Sequence, residues 1–351
     1  MSRLRNWIKS HEKIYFMARI LQQFRNPDFR SRVLAITDSP AMVKIERLGD
    51  KNPDKLFYLI ELKDCGLSGL FALLNDTVKR LELARRLGAT PYVVWRNTSY
   101  YPEGNAFERY FLQLTDTSYE DILQSQNVII SRQQDGFERD SSQVYYEQSG
   151  YLQAIGALYK KYIHMRPEIK SKFENDLQNS GLAGRIENSI GVHFRGTDFR
   201  QSLVGHPKYI SYEDYIPVIK DFAGENSPSV FLCTDDDNAL EYFKNVFKDS
   251  PVELLYYSDT MRSKDDFGLH YENLRSPEKN RDIGYEVIRD VYTLAKCKMF
   301  ISGVSNVSFT ARAINAAGEK NFEKVKVFDL GLNVSGVTSK VFNENFNKLK
   351  K

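Results

Sequence analysis

The sequence predicts an α/β protein of two doubly wound domains that face a central cleft, and three observations support this. Short apolar, β-prone segments alternate along the chain with segments whose apolar residues recur at helical spacing. Glycine and proline mark the joints, as Gly88 and Pro91 do after the first helical segment. The same alternation occurs twice in 351 residues, a length that suits two domains. Consecutive strand–helix–strand units imply parallel sheets with right-handed crossovers.

In the first half, strands are predicted at residues 56–62 and 92–95. A long helix rich in Tyr and Leu is predicted over 145–165, and another one starts at Pro167 and continues to residue 178. The helix between the two strands is marked by apolar residues at helical spacing, which are Phe71, Leu74, Val78, Leu81 and Ala84.

The polar, glycine-containing segment 181–187 separates the two halves, so the predicted domains are residues 1–184 and 185–351. The second half repeats the alternation of strands and helices. The predicted strands of this half are residues 189–195, 229–233, 252–257, 298–301 and 325–330. The predicted helices are residues 212–222, 238–247, 284–295 and 308–317, with a terminal helix over 340–351.

Composition is that of an ordinary soluble globular chain, with 42% hydrophobic and 27% charged residues. The net charge of +3 is too small to argue for a polyanionic partner such as nucleic acid. No apolar run approaches the roughly 18 residues of a membrane-spanning helix, and we expect no secretory signal. Three cysteines without metal-ligand spacing favour a reducing, cytoplasmic compartment, and they are Cys65, Cys233 and Cys297.

Residues 1–32 interleave apolar and basic side chains, as an amphipathic helix on an anionic membrane surface does. The same composition is typical of a packed terminal helix whose charged face is solvated. Both alternatives stay open, so contact with the inner face of a membrane is a hypothesis for this segment.

The most informative segment is 190–198, where an apolar strand ends on a polar cluster. Ligands of α/β proteins bind at this carboxyl edge of a sheet. His193 and Arg195 lie two residues apart and share one face of the strand. The guanidinium of Arg195 presents several N–H donors in a fixed plane, which suits phosphate oxygens. Gly196 permits a sharp turn or the close approach of a ligand. We interpret the cluster as a site for the diphosphate of a nucleotide sugar. An Arg195–Asp198 pair that only closes the strand end is the alternative.

Three further clusters lie at or beside strand ends of the second half. Glu286 and Asp290 are one helical turn apart and so share a face. Ser305 and Asn306 lie in a turn before a helix, where backbone N–H groups bind phosphate. Each cluster has a structural alternative, because Asp and Ser before a helix commonly cap it. The remaining cluster directly follows a strand and consists of Thr234, Asp235, Asp236 and Asp237.

Two other segments bear on an acceptor. Trp95, Tyr100, Tyr101 and Asn105 follow a first-half strand, where aromatic rings can stack on sugars and an amide can bond hydroxyls. A buried aromatic cluster is the equal alternative. Residues 258–281 form a long, charged segment, which is interpreted as a lid over a site, with plain disorder as the alternative.

Taken in order, these motifs resemble the GDP-fucose-dependent fucosyltransferases of the α1,6 and nodulation type. The similarity covers the second half well, with Arg166-Pro167 ahead of it and a weaker match at residues 64–69. The motifs that carry it are His-x-Arg-x-Thr-Asp at 193–198, His-Pro at 206–207, Thr-Asp-Asp at 234–236, a helix with Asp290, and a serine-containing turn at 302–306.

The resemblance implies a GT-B enzyme that is inverting and metal-independent, needs no cofactor, and transfers L-fucose from GDP-fucose to a bacterial-type surface glycan. It implies that Arg195 holds the diphosphate, that His193 lines the nucleotide, and that Asp290 accepts hydrogen bonds from guanine. It also implies that Thr234, Asp235 and Asp236 line the donor pocket and that Ser305 reaches phosphate. The clusters described above add Gly196, Glu286 and Asn306 to the predicted donor site.

The sequence departs from the family pattern where a catalytic base is expected. Residues 201–205, ahead of His206, hold no carboxylate. His206 and Asp198 are therefore the nearest candidate bases, and a base supplied by the first domain is the alternative. Gly196 stands where the family often has a second basic residue.

Two other functions remain as alternatives. Asp235, Asp236 and Asp237 could clamp a metal ion in a metal-dependent GT-A glycosyltransferase, because hard oxygen ligands suit such cations. The chain could also be a non-catalytic nucleotide- or sugar-binding protein of the same fold, which the missing loop carboxylate supports.

Overall fold

A computed structural model of the chain describes residues 44–62, 65, 68–131, 150–224, 229–269, 271, 282–318, 321–338, 341–342 and 344–345, together with residue 14. Nearly all of the amphipathic segment 1–32 and most of the terminal helix lie outside the described residues, so these predictions stay predictions.

The first half contains a parallel sheet of three strands in the order β2-β1-β3. Its strands are β1 (Lys51–Leu62), β2 (Thr90–Trp95) and β3 (Ser125–Ser131). Both faces of β1 are covered, because Phe57 and Leu59 pack into one buried cluster while Tyr58 and Ile60 pack into another.

Helix α1 (Leu70–Leu87) connects β1 to β2, as predicted. Its apolar residues face the sheet, and it ends at Gly88, whose φ of 64° is the left-handed conformation that favours glycine. The βα unit predicted from this part of the sequence is confirmed.

The short elements of the first half were not predicted. These are α2 (Ala106–Tyr110), α3 (Tyr119–Ile122) and the strand β3. Two helices of four or five residues are too short to show a period, and β3 begins with three polar residues.

Helices α4 (Tyr151–Tyr162) and α5 (Pro167–Asn179) follow. The predicted helix 145–165 is too long at its carboxyl end, because the backbone becomes extended at Ile163. The start of α5 at Pro167 is confirmed, with proline in the first turn, where no N–H is needed.

The second half contains a parallel sheet of five strands in the order β6-β5-β4-β7-β8. The predicted strands are confirmed, although β6 is only two residues long. They are β4 (Ile190–Phe194), β5 (Val230–Thr234), β6 (Leu254–Leu255), β7 (Met299–Gly303) and β8 (Val325–Phe328). The predicted helices are α6 (Tyr212–Ala223), α7 (Asp237–Phe247), α8 (Ile283–Leu294) and α9 (Asn306–Ala316).

The strand order of this sheet reverses beside β4. The chain moves outward from β4 through β5 to β6, then returns to the other side of β4 and forms β7 and β8. In open parallel sheets the crevice at the carboxyl ends of strands, at this reversal point, is where ligands bind. The topology therefore indicates a site at the ends of β4 and β7.

The two halves share a buried cluster that includes Leu74 of α1 and Phe309 of α9. Gly156 of α4 lies so close to α9 that a Cβ would meet the Ala313 carbonyl oxygen. The α/β class is confirmed, whereas the boundary at residues 184 and 185 stays a prediction.

Cys65, Cys233 and Cys297 are free and buried. Within the described part of the chain, no helix combines the length and the apolar character needed to cross a bilayer.

Candidate active site

A cleft of about 640 Å³ opens at the carboxyl ends of β4, β5 and β7. One wall consists of strand-end residues and the loops after them, including His193, Thr234 and Ser305. The opposite wall comes from α1 and the residues before it, including Gly69 and Asn75. The cleft therefore lies at the reversal point of the second sheet and faces a helix of the first half.

Arg195 contributes a cation to the strand-end wall and is held by two carboxylates. Its Nη2 donates to Asp198 Oδ1 at 2.7 Å, and its Nη1 lies 2.5 Å from Asp235 Oδ2. The guanidinium also lies 5.6 Å from the centroid of the Phe199 ring. Burial acts to lower the pKa of Arg195, but the two carboxylates outweigh burial and raise it. Arg195 is therefore charged at every relevant pH and held in one orientation.

Asp235 also organises the turn that follows β4. Its Oδ1 accepts the Gly196 N–H at 3.0 Å, and its Oδ2 accepts the Thr197 hydroxyl at 2.6 Å. Thr197 has a φ of 25°, which a β-branched residue adopts only where its surroundings impose it. Strain of this kind concentrates at functional sites, and here it lies directly beside Arg195.

Gly196 and Asp236 do not line the cleft, so these two donor-site predictions are wrong. Asp236 is fully buried, caps α7 by accepting the Asn238 N–H at 3.0 Å, and forms an ion pair with Arg200. Gly196 packs directly on Asp236, and a Cβ there would collide with the Asp236 side chain. Glycine is required at this position for contact with a buried carboxylate rather than with a ligand.

His193 lies in the middle of the strand-end wall. The strand register places it between Cys233 on β5 and Ser302 on β7. Its Nδ1 is 3.4 Å from Ser305 Oγ. Burial lowers the pKa of His193 to about 4. The imidazole is therefore neutral near pH 7 and offers hydrogen bonds rather than charge.

The turn after β7 joins the two walls of the cleft. Ser305 caps α9 by accepting the Ser308 N–H at 3.0 Å, so the capping alternative holds for this residue, which also lines the cleft. Asn306 Oδ1 accepts from Asn75 Nδ2 of α1 at 3.1 Å. Asn75 Oδ1 in turn accepts the Tyr159 hydroxyl at 2.6 Å. These bonds fix the α1 wall relative to the α9 N-terminus.

Two carboxylates of α8 line another part of the cleft, one turn apart as predicted. Asp290 is buried, and its Oδ2 accepts the Cys233 thiol at 3.4 Å. Burial raises the pKa of Asp290 to about 6. Glu286 accepts the backbone N–H of Met261 at 2.6 Å. Asp290 is thus the deep carboxylate, while Glu286 binds the loop that follows β6.

That loop was predicted to be a lid, but its described residues 258–269 are anchored. Arg289 of α8 donates to both carboxylate oxygens of Asp259, at 2.8 and 3.1 Å. Arg200 donates to Asp266 at 2.6 Å from the turn after β4. This part of the loop is therefore tied to the strand-end wall, and most of the rest of the predicted lid lies outside the described residues.

His206 stands at the mouth of the cleft. The backbone N–H of His206 donates to the Leu203 carbonyl at 3.0 Å, and the backbone carbonyl of His206 accepts the Asn333 N–H at 2.9 Å. His206 is exposed as a residue, but partial burial of its ring lowers its pKa, and the charge of Arg195 adds to this effect against the opposing charge of Asp198. The neutral imidazole is the form that can accept a proton at pH 7.

Of the predicted acceptor residues, only Tyr100 lines the cleft. Its hydroxyl accepts the N–H of Leu70, the first residue of α1, at 2.9 Å. Tyr101 contacts Arg109 instead, whose guanidinium lies 5.2 Å from the ring centroid. The acceptor prediction for Tyr101 is therefore not supported by its position.

Trp95 and Asn105 are structural residues, and their predicted acceptor roles are wrong. Trp95 is 0% exposed, donates its indole N–H to Thr77 at 2.9 Å, and packs edge-on against Phe107. Asn105 caps α2 and bonds the backbone of β2, donating to the Val93 carbonyl at 2.8 Å. The buried aromatic cluster, left open as an alternative, is the arrangement that the structure has.

The other predicted site residues come together in one cleft. All three candidate catalytic residues line it, as do eight of the predicted donor residues. The lining residues from these two groups are Arg195, Asp198, His206, His193, Thr234, Asp235, Glu286, Asp290, Ser305 and Asn306.

The polar residues of the α1 wall were missed. Asn75, Asp76 and Lys79 line the cleft and interrupt an otherwise apolar helix face at adjacent or near-adjacent turns. Polar residues on the inner face of a buried helix could have indicated them, because such groups need partners.

The cleft lies at the strand ends where open α/β sheets bind ligands, and comparison with known proteins defines the fold further. No known family profile matches the sequence, and no curated protein matches it. The structure is similar to that of the fucosyltransferase NodZ from Bradyrhizobium, with 18% identity, a TM-score of 0.50, and coverage of 81% of this chain and 98% of that one. This likeness shows that the chain has the fold of that fucosyltransferase.

Two other solved structures are similar at lower scores. NodZ alpha-1,6-fucosyltransferase soaked with GDP-fucose has 19% identity and a TM-score of 0.48, covering 74% of this chain and 93% of that one. POFUT1 in complex with GDP has 12% identity and a TM-score of 0.46, covering 79% of this chain and 99% of that one.

Proposed function

We propose that this protein is a glycosyltransferase that transfers fucose from GDP-fucose to a hydroxyl of a glycan acceptor. The observation that carries the proposal is the position of Arg195. Its fixed guanidinium lies at the end of the central strand β4, beside the reversal of strand order, and faces the cleft. The fold shared with a fucosyltransferase and the order of motifs after β4 support the choice of donor.

In the proposed complex, Arg195 and the N-terminal end of α9 hold the diphosphate. A guanidinium carries five N–H donors, and the contacts with Asp198 and Asp235 use two, which leaves three for phosphate oxygens. Ser305, at the start of the eleven-residue helix α9, adds a hydroxyl and helix-end N–H groups. Charge on the departing GDP grows in the transition state, so donors held in place beforehand lower the barrier.

Asp290 is the proposed partner of the guanine edge, with Glu286 one turn away. Guanine donates from N1–H and from its exocyclic amine, and one carboxylate accepts both bonds. Uracil and adenine do not offer this pair of donors. Asp290 lies inside the cleft, which supports this role. Among the bonds described above, only the Cys233 thiol donates to its carboxylate, at 3.4 Å.

His206 is the proposed base, and Asp198 is a positioning residue. Asp198 is engaged by the Arg195 fork at 2.7 Å and by the Thr197 hydroxyl at 3.0 Å. His206 lies at the cleft mouth with a lowered pKa, so it is neutral at pH 7 and can take a proton from an acceptor hydroxyl. Attack on the face opposite to GDP makes the proposed transfer inverting.

The metal-dependent alternative rests on Asp235, Asp236 and Asp237. Asp235 and Asp236 are paired with Arg195 and Arg200, which disfavours a metal clamp at this sequence. Among the described residues, no group of three His, Cys, Asp or Glu side chains has the geometry of a metal site. Asp198 and Asp235 nevertheless offset the charge of Arg195, so the requirement for a cation needs a direct test.

The test combines binding and turnover. We expect GDP to protect the protein against thermal unfolding more than UDP or ADP at equal concentration, because binding to the native state stabilises it. We also expect GDP release from GDP-fucose to rise when a glycan acceptor is added and to be unchanged by EDTA. Equal protection by GDP and UDP would contradict the donor assignment. Loss of turnover in EDTA, restored by Mn²⁺, would favour the metal-dependent alternative, and GDP binding without turnover would favour a binding protein.

A further inference from the structure

Two segments form the outer edge of the cleft and are bonded to each other along their backbones. Gly205 N–H donates to the Asn333 carbonyl at 2.9 Å, and Lys208 N–H donates to the Gly331 carbonyl at 3.0 Å. Pro207 and Leu332 form a bridge between them. His206, the proposed base, lies within the first segment, so this edge is directly beside the reacting groups.

These two segments and the residues beside them expose four apolar side chains. We call this surface the cleft-mouth rim and define it by Val204, Leu330, Leu332 and Val334. Their exposed fractions are 37%, 58%, 38% and 91%. Single exposed apolar residues are common on proteins, but a contiguous group marks a contact surface.

The rim is held in place from behind. Leu203 packs with Tyr271 and Phe342 in a small buried cluster, and Val337 packs against it. Val204 N–H donates to the Val337 carbonyl at 2.9 Å. Because its support is buried, the rim does not turn its apolar side chains inward, and they stay exposed to solvent.

The charges next to the rim fit an anionic partner. Lys208 is exposed on the first segment, and Lys326 of β8 is exposed just before the second. Asp329, the nearest acidic residue along this stretch, is exposed as well, and its carboxylate accepts the Gly331 N–H at 2.8 Å, so two exposed lysines stand against one aspartate. Exposed apolar side chains flanked by lysines match an anionic lipid surface, which accepts apolar groups below its headgroups and attracts cations.

We propose that the cleft-mouth rim docks on an anionic phospholipid membrane, so that the cleft receives a glycan acceptor carried at that surface. The acceptor part of this statement rests on the proposed function, whereas the docking itself does not. Val334 and Leu330 enter the interface, and Lys208 and Lys326 lie over the anionic headgroups. His206 then faces sugars that project from the membrane.

Co-sedimentation of the full chain with phosphatidylcholine vesicles, with and without phosphatidylglycerol, tests the docking. We expect binding only with phosphatidylglycerol. Val334→Asp should weaken it by at least about tenfold, since it removes a large part of the inserted apolar area and adds a charge. Lys208→Glu should weaken it by roughly fivefold or more. Ile45→Asp is the matched control, because Ile45 is 55% exposed but lies away from the cleft, and it should bind like the unmodified chain.

Two results would overturn the proposal. One is that the unmodified chain does not bind vesicles, or that Val334→Asp and Ile45→Asp bind vesicles equally well. The other is a dimer in sedimentation velocity that Val334→Asp dissociates while vesicle binding is unchanged, which would make the rim a contact with a second copy. The thermal unfolding midpoint of each variant is measured without ligand, so a folded chain is verified independently of GDP binding. Docking without any turnover of GDP-fucose would contradict the proposed function and leave the docking intact.

Discussion

The ends of β2 and β4 carry the same pair of residue types and have different roles. Each strand ends on a buried aromatic residue that is followed by arginine, Trp95-Arg96 in β2 and Phe194-Arg195 in β4. Arg195 is pinned by two carboxylates and lines the cleft. The Arg96 side chain is 43% exposed, and its Nε lies 3.9 Å from Glu61 Oε1. Arg96 does not line the cleft.

Position in the sheet explains the difference. β4 is central, between β5 and β7, at the reversal of strand order, whereas β2 is an edge strand of its sheet. Three strand ends and their loops converge around Arg195, and each adds a polar group. An edge strand has one neighbour, so its terminal residues either pack inward, as Trp95 does, or extend into solvent. The same pair of residue types thus contributes to a cleft only where the topology of the sheet brings other strand ends beside it.

The largest effect is expected at the aromatic residues of the two strand ends. Trp95→Ala and Phe194→Ala should each lower the free energy of unfolding by about 3–5 kcal/mol, because both side chains are fully buried. Trp95→Phe should keep most of the stability, and urea denaturation measures all three. If Trp95→Ala kept its stability and only raised the KM for acceptor, Trp95 would regain the acceptor role.

The two arginines provide the next test. Arg195→Lys keeps the charge beside Asp198 and Asp235 but loses the fork, so we expect turnover to fall roughly ten- to a hundredfold, equal to about 1.5–3 kcal/mol. Arg96→Lys is the matched control at the other strand end and should leave turnover unchanged. Equal kinetics for the two variants would remove Arg195 from the diphosphate site.

The comparison also explains which parts of the molecule could be predicted from the sequence. The long elements were predictable because burial imposes a period on them, as in α1 and β4. The position of Arg195 in the cleft was predictable because it follows an apolar strand, and that of Asp290 because it matches a family motif and shares a helix face with Glu286. Trp95 was misassigned because an aromatic side chain can pack in a hydrophobic core as well as stack on a sugar ring. Asp236 was misassigned because an aspartate before a helix suits a cap as well as a ligand. Asn75 and Lys79 interrupt the apolar face of α1 and so could have been recognised as polar groups that need partners, but their place in the cleft depends on the tertiary fold, which brings α1 to the strand ends.

A smaller effect is expected for the pH dependence of GDP binding. Burial raises the pKa of Asp290 to about 6, so the carboxylate proposed to accept the guanine N–H groups is protonated below that pH and ionised above it. GDP affinity should therefore rise as the pH passes upward through about 6, while UDP affinity should change less. Asp290→Asn should remove this rise and reduce the preference for GDP by roughly tenfold, about the value of one charged hydrogen bond.

Calorimetric titration of GDP and UDP between acidic and neutral pH measures both quantities. Glu286→Gln is the control, since Glu286 accepts the Met261 N–H and shares the helix face. A rise in GDP affinity that persists in Asp290→Asn and disappears in Glu286→Gln would transfer the guanine contact to Glu286.

The smallest effect is expected at Tyr100, where the first half reaches the cleft. Its hydroxyl accepts the Leu70 N–H at 2.9 Å, at a helix end whose preceding residue, Gly69, has no side chain to cap it. Tyr100→Phe keeps the ring and removes this one bond, so unfolding free energy should fall by about 0.5–1.5 kcal/mol. A ring that stacks on an acceptor sugar is the same in Phe, so KM for acceptor should not change. Tyr100→Leu removes the same hydrogen bond. It should also raise the KM for acceptor if the ring stacks on an acceptor sugar. A rise in KM for Tyr100→Phe itself would mean that the hydroxyl, not the ring, contacts the acceptor, and that the α1 end is open to substrate in the working enzyme.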